Sequence, residues 1–478
     1  MKLPEDITKS SSGIKSVVVG YLNAGKVDEA LGLFEDHSKE VEEAFREYNP
    51  KMHSVMSRPD KVRKNKSDYK TNKLPRNWQS YINEIELYFL MNNGVSWELL
   101  NEYSEQEKLQ EVFSMYQNLL SELHYDTYTR EAKRLAGAET ECAKLYAHYK
   151  DEGVDKIKIV MLSYSKGYKL RPLFNRYGDL KAFAVGYYIK LHTGEKQECW
   201  DIYTNSNIYK CKRSVDVSDP TEWSVAEETN FIGKIPIIYY RQNKAWAGVE
   251  ERIERDEWLD SKNADCNEYF ADPMLKISAN VKNGLMDPKN AGKVIQVKSK
   301  DDVFEYVTPP DASDMKEQEK STLKESILMG TLTPDLSYEN VKGLGAISGE
   351  AITKANILGY IKRLKNMEVY NELFQRDASL VKAIMANVLF PAMRKEIMQM
   401  ILHHIYQDPA NGISDNSEEI ARWSEIGMSD EAIVEANRNI TNKKLELERL
   451  RRKRAEQEKR LAEVNNQDDV KNPIKTEE

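Results

Sequence analysis

The sequence predicts an α+β fold, mainly helical, on three observations. Apolar residues keep helical spacing from Leu109 through Val112, Phe113, Tyr116, Leu119 and Leu120 to Leu123. Five β-branched or aromatic segments follow one another between 155 and 241 with no crossover helix between them, as in an antiparallel meander. Two helices between Asp311 and Leu373 are separated by a long loop bounded by glycines.

Along the chain, residues 1–76 read as short helices (KVDEALGLF, EVEEAFREY) followed by a basic arm. The arm holds eight Lys or Arg between Lys51 and Lys73 against Asp60 and Asp68, lacks periodicity, and contains Pro59 and Pro75. Helical spacing begins again at Trp78, MNNGVSW makes a turn, and the stripe to Leu123 follows. A further helix is expected from about Thr129 to Tyr149. Strands are expected at KIKIVML, LKAFAVGYYIKLH, ECWDIYT, NIYKCKR and GKIPIIYY, with Pro236 placing the last at a sheet edge. A helix over 248–271 leads into a strand-and-turn insertion at 274–310, whose strands are GKVIQVKS and DVFEYV.

The next helix starts after Pro309-Pro310 with Asp314 and Glu317 as a capping-box pair, and stops at Gly330. The loop 331–347 carries Gly343 and Gly345, and Ser348 can cap the long helix after it. Gly330, Gly343 and Gly345 are read as hinges. Long loops between helices are more often functional than accidental. An apolar helical segment then runs to Tyr406, with Pro391 expected to break it. The region 411–464 reads as polar and helical, and 465–478 as a disordered tail. There is no internal repeat.

With 478 residues, two to four domains are expected. The chain is 40% hydrophobic and 31% charged, with a formal net charge of −8, which argues against tight binding of nucleic acid over the whole surface. No apolar run reaches the ~18 residues of a membrane helix, and MKLPEDITKS lacks the apolar core of a signal peptide. The expectation is a soluble protein without membrane partners.

Catalytic and metal chemistry find no footing. The four cysteines lack CxxC spacing and are read as isolated buried thiols. An Asn205-Ser206 turn would set Trp200 opposite Cys211 and turn Cys199 to the other face, which disfavours a disulfide. Gly20, Gly25 and Lys26 match GxxxxGK spacing, but Val27 stands where a P-loop needs a hydroxyl, so a turn between helices is preferred to a nucleotide site. His403 and His404, placed on a helix, would point about 100° apart and not chelate together. Neither a catalytic residue nor a cofactor is assigned. RRKR at 451–454 lies among nine bases and four acids between Lys443 and Arg460. It reads as a solvated helix face or as a contact for nucleic acid or an acidic partner.

The order of these elements resembles the portal proteins of tailed bacteriophages, most of all the smaller portals of long-tailed phages. NKLPRNWQSYINEIELYFLMNNGVSW and TYTREAKRLAGAETECAKLYAHY are similar to the family's wing. KIPIIYYRQNKAWAGVEERIERDEWLDSKNADCNEYFAD resembles a strand and stem helix, with a run from Asp260 to Asn263. GLGAISGEAITKANILGYIKRL resembles the segment after the tunnel loop, and EIARWSEIGMSDEAIVEANRNITNKKLELERL the approach to the crown. Asp335 and the basic C-terminal helix depart from the commoner pattern.

The resemblance implies a phage-portal-like fold with wing, stem, clip and crown regions. It divides the chain into a wing-like region at 77–245, stem helices at 246–273 and 311–330, and a clip at 274–310. The tunnel loop is then 331–347, helices returning to the wing occupy 348–410, and a crown-like region 411–464. It further implies a non-enzymatic homo-oligomeric ring, typically of twelve subunits, at a capsid vertex of the virion. The ring would assemble in the bacterial cytoplasm. Double-stranded DNA would pass through it, and its partners would be the terminase large subunit, head-completion or adaptor proteins, and capsid and scaffolding proteins. Tyr338, Asn340 and Lys342 are then the candidates to face DNA. The alternatives from the residues are a cytosolic coiled-coil scaffold and a nucleotide-dependent enzyme using 20–27.

Overall fold

The computed structural model describes residues 11–60, 70–92, 94–100, 107–215, 222–271, 275–277, 304–306, 313–337 and 356–406, with short stretches between 422 and 454. They fall into two units. The second, formed by 346–353 and 408–478, is described at short stretches, among them helical residues 449–454 within the basic run.

In the first unit, helices α1 (Ser11–Asn23), α2 (Val27–Leu31) and α3 (Ser38–Tyr48) open the chain. Val18, Leu22, Val27, Ala30 and Phe34 bury against Leu173, Ala184, Trp200, Ile202 and Cys211 of a five-stranded sheet. The GxxxxGK spacing is a turn between helices, as expected. The valines before it lie in α1, where a P-loop needs a strand. Gly25 has φ +70°, and the amides of Gly25 and Lys26 close back onto Leu22 O and Tyr21 O at 3.0 and 2.9 Å. That is a Schellman ending, which uses the glycine for its left-handed backbone.

Helix α4 (Trp78–Met91), strand β1 (Val95–Leu99), and helices α5 (Glu107–Glu122) and α6 (Tyr125–Glu139) follow. The stripe from Leu109 to Leu123 is core-facing. The helix expected over 129–149 is corrected: α6 ends at Glu139, Thr140 turns at φ +67°, and strand β2 (Glu141–Asp151) begins. Both faces of β2 are covered. Cys142 and Tyr146 face the helical core, while Ala143 and Leu145 face a second sheet. A strand buried on both sides lacks the polar alternation that betrays a strand.

β2 lies between β3 (Val154–Leu162) and β9 (Ile237–Arg241). Pro236 precedes β9, an edge strand as expected. The other sheet is a meander, β4 (Lys169–Phe174), β5 (Leu180–Lys190), β6 (Lys196–Tyr203), β7 (Asn207–Ser214), β8 (Ser224–Thr229); the five segments expected to form one meander are thus divided, KIKIVML and GKIPIIYY flanking β2 instead. β4, with Pro172 inside it, and β8 carried no strand signal. Trp200 pairs with Cys211 and Cys199 with Lys212, the register the turn required. All four cysteines are free; three are buried, but Cys266 is exposed, contrary to the reading of four buried thiols.

Helix α7 (Glu250–Ala271) precedes two three-residue strands, β10 (Leu275–Ile277) and β11 (Phe304–Tyr306), paired antiparallel. β11 falls within DVFEYV; its partner is Leu275–Ile277, and GKVIQVKS lies outside the described residues. Helix α8 (Ser313–Gly330) follows, so Asp314 falls inside its first turn. Helix α9 (Ile357–Ile384) passes into a π-helical turn, Met385–Leu389. Pro391 then opens a 3₁₀ turn before α10 (Arg394–Gln399). The helix expected to continue to Tyr406 instead gives way to strand β12 (Leu402–Tyr406), which pairs with β1. His403 and His404 therefore lie on a strand, and MNNGVSW runs into one. Their pairing joins segments about three hundred residues apart, which no local pattern records. His404 is buried against Trp97 and Phe374 with Asn371 at 2.9 Å, while His403 is exposed.

Candidate functional site: a helix pair, its strap and the base of a long loop

α7 and α8 pack antiparallel. Arg255 bonds Glu319 at 2.8 Å, Lys320 reaches Asp260 at 2.8 Å, and Arg252 donates to Ser326 O at 3.2 Å. At one end Val249, Ile253 and Ile327 share a small core with Ile82 and Trp246. A Cβ on Gly330 would come within 2.7 Å of Val249, and Gly330 does not adopt a positive φ. Close helix packing therefore explains this glycine better than the expected hinge.

The other flank of α7 is covered by residues 53–60 and 70–78. His53 Nδ1 meets Glu257 at 2.7 Å, and Ser54 donates to Glu254 at 2.6 Å. Arg58 bonds Asp265 at 2.8 Å and lies over Trp258. The Asn72 amide donates to Asp265, the Leu74 amide to Ser261 and the Arg76 amide to Glu257, at 2.8, 3.0 and 2.9 Å. Arg76 Nε bonds Asp260, and Trp78 donates to Asp256. The extended arm is thus a strap fastened to helical carboxylates. Arg58 is buried against α7 and Arg76, partly exposed, pairs with Asp260; 61–69 lie outside the described residues. Sequence reading missed the strap because Asp256, Glu257 and Asp265 look like surface acids, yet all three are buried.

The strap should respond to pH. Burial pushes the His53 pKa down, but Glu257, helped by Glu47, outweighs it and leaves the value above the ordinary 6.5. A raised histidine pKa means that its contribution is complete below about pH 6.5 and is lost as pH rises through the folded value. Amide exchange at Asn72, Leu74 and Arg76, corrected for intrinsic rates, is expected to be slower at pH 6 than at pH 9. His53→Gln should flatten that difference; equal pH dependence in both proteins would remove His53 as its source.

The loop begins with a chain reversal. Thr333 N donates to Leu328 O at 2.9 Å and Leu332 N to Met329 O at 3.2 Å, with Leu332 at φ +53°. This Schellman motif places a leucine where glycine is usual, at a cost of roughly 1–2 kcal/mol. Tyr81 of α4 donates to Pro334 O at 3.2 Å and accepts the Leu336 amide at 3.0 Å. Lys324 pairs with Asp335 at 2.6 Å. Of the sites expected in the loop, Tyr338, Asn340, Lys342, Gly343 and Gly345 lie outside the described residues, as does Ser348.

The loop's return is held by α4 as well. Glu86 receives Lys133, Lys362 at 3.0 Å and Asn366 at 2.9 Å. Burial alone would raise the Glu86 pKa, but Lys133 and Lys362 outweigh it and bring it down to about 2. A Cβ on Gly359 would meet the Phe89 ring at 2.5 Å, so α9 sits directly on α4 there.

The exposed charged residues of α8 are Asp314, Glu317 and Glu325, interspersed with Gln318, Ser321 and Thr322. Lys320 and Lys324 turn back to Asp260 and Asp335, and Lys316 is half-buried. Among the described residues no cluster of His, Cys, Asp or Glu could hold a metal ion, and no helix is long and apolar enough to cross a membrane.

Comparison with known proteins finds likenesses in solved structures and in one family. One solved structure it resembles is the neck of a native gene transfer agent particle computed with twelvefold cyclic symmetry. That likeness covers 64% of this chain and 76% of the other, at 11% identity and a TM-score of 0.35. Another is the virion of a native gene transfer agent particle, with 83% and 91% covered, 11% identity and a TM-score of 0.38. No curated protein matches. The family described as phage portal protein, SPP1 Gp6-like, matches residues 34–460. Its members are structural proteins, and this chain belongs to it: it is a phage portal protein of the SPP1 Gp6-like family.

Proposed function

We propose that this portal subunit closes into a ring, typically of twelve, at one capsid vertex, and that double-stranded DNA passes through it during packaging and ejection. The terminase large subunit would dock on the ring during packaging, and head-completion proteins afterwards. The observation that carries this reading is the uncovered face of α8. The strap occupies one flank of α7 and α8 occupies another. The outward face of α8 remains: it carries acids, hydroxyls and the exposed Met315 and Met329, and Lys320 and Lys324 are paired with Asp260 and Asp335. A surface of this kind passes DNA without holding it, because phosphate binding scales with the cations presented.

On this reading α7 and α8 are the stem, the segment around β10 and β11 the clip, and 331–347 the tunnel loop, with Tyr338, Asn340 and Lys342 facing DNA. Two three-residue strands are barely stable alone, which favours pairing of the clip across subunits. Ring closure uses unlike faces of neighbouring subunits.

Native mass measurement with negative-stain imaging tests the ring. A single high-order species with a central hole is expected. Monomers or dimers under every assembly condition would overturn the proposal in favour of a scaffold.

A further inference from the structure

Helix α4 touches both legs of the long loop. Tyr81 holds the outgoing leg at Pro334 and Leu336, while Glu86 and Phe89 hold the returning one at Lys362, Asn366 and Gly359. Tyr81 and Phe89 stand eight residues apart, about 12 Å along the helix. The two attachments differ in kind. The returning leg is fixed by a buried carboxylate bearing two lysines and by backbone packed against an aromatic ring. The outgoing leg is held by one phenol that donates to one carbonyl and accepts one amide, beside the partly exposed pair Lys324–Asp335.

Position reinforces the difference. Tyr81 lies edge-on to Trp78 at 6.2 Å, and Trp78 is bonded to Asp256 of α7. The phenol is therefore aimed by a ring that is itself tied to the helix pair. The leg it holds leaves a left-handed Leu332, a conformation that persists only while its surroundings enforce it.

We propose that Tyr81 is the positioning residue for the start of the loop, 331–337: its hydroxyl is the latch that fixes the outgoing leg to α4, independently of the attachments of the returning leg. The inference rests on the reading of 331–347 as the tunnel loop. The direction in which 334–337 leave α8 is set by one hydroxyl on α4.

Tyr81→Phe removes that hydroxyl and keeps the ring. Hydrogen exchange at the Leu336 amide is expected to accelerate roughly tenfold, the loss of two hydrogen bonds. The first-turn amide of Tyr360 in α9, bonded to Asn356 O, and the melting temperature should stay unchanged. Lys324→Met, which removes the neighbouring ion pair, should accelerate the same amide. Lys362→Met should accelerate Tyr360 and spare Leu336. An unchanged Leu336 amide in Tyr81→Phe, or equal acceleration at Tyr360, would overturn the latch. Exchange is read on subunit or ring alike, so a chain that never forms a ring defeats the tunnel-loop reading by the mass measurement alone, and the exchange result still decides the latch.

Discussion

Asp377→Ala is expected to destabilise the chain by about 3–5 kcal/mol near neutral pH, because it leaves the Lys144 amine fully buried without the carboxylate that keeps it charged. Lys144 on β2 and Asp377 on α9 are both fully buried, and they pair across 233 residues of sequence. Tyr146 donates to the second carboxylate oxygen at 2.5 Å. Lys144 also reaches Thr129 at 3.2 Å and lies over the Tyr125 ring at 4.1 Å. Burial pushes the Lys144 pKa down, and Asp377 is the group that opposes it. Without the carboxylate the folded lysine would be neutral, whereas the unfolded chain would still bind its proton. The state with more protons is then the unfolded one, so the variant's stability should rise with pH toward the ordinary lysine pKa near 10.4. Thermal and denaturant midpoints between pH 6 and pH 10 check both statements. Lys144→Met combined with Asp377→Leu should recover most of the loss, since a well-packed apolar pair often equals a buried ion pair. A loss under 1 kcal/mol, or one independent of pH, would show that water reaches the site.

The same pair shows where sequence reading stops. Trp200 opposite Cys211 was legible because one tight turn fixes the register of a local hairpin. α5 and α8 were legible because each carries its own spacing or punctuation. Lys144 was hidden inside a segment read as helix, and only the arrival of Asp377 from α9 makes its burial tolerable. β1 and β12 failed for the same reason: each is a five-residue strand completed by the far end of the chain. The burial of the acids of α7 was not legible, because their partners, among them the amides of Asn72 and Arg76, bear no sequence mark of their destination. Gly330 was recognised as the end of a helix, but its reason, Val249 at 2.7 Å, belongs to packing. For the candidate site, the residues that hold the loop base, Tyr81 and Lys324, lie outside the loop. Nothing in 331–347 names them.

Glu317→Lys combined with Glu325→Lys is expected to leave ring assembly and melting intact while cutting packaged DNA about tenfold or more at low salt. Both side chains are exposed, so the change costs little folding energy. What changes is the surface offered to DNA. Each lysine that meets a phosphate releases counterions, and log affinity then falls with log salt by nearly one per contact. A face that formerly repelled DNA would grip it in every subunit of the ring, and translocation would slow as the gripping constant rises. Added salt should therefore restore packaging in the charge-reversed ring more than in the wild type. Glu317→Gln with Glu325→Gln, which removes charge without adding cations, should package close to normally. Packaged DNA is measured by nuclease protection in an assembly reaction with the cognate terminase and capsid. Equal protection in charge-reversed and wild-type particles would mean that the outward face of α8 does not line the passage. Failure of the double reversal to assemble a ring at all would instead make the acidic surface a contact between neighbouring subunits.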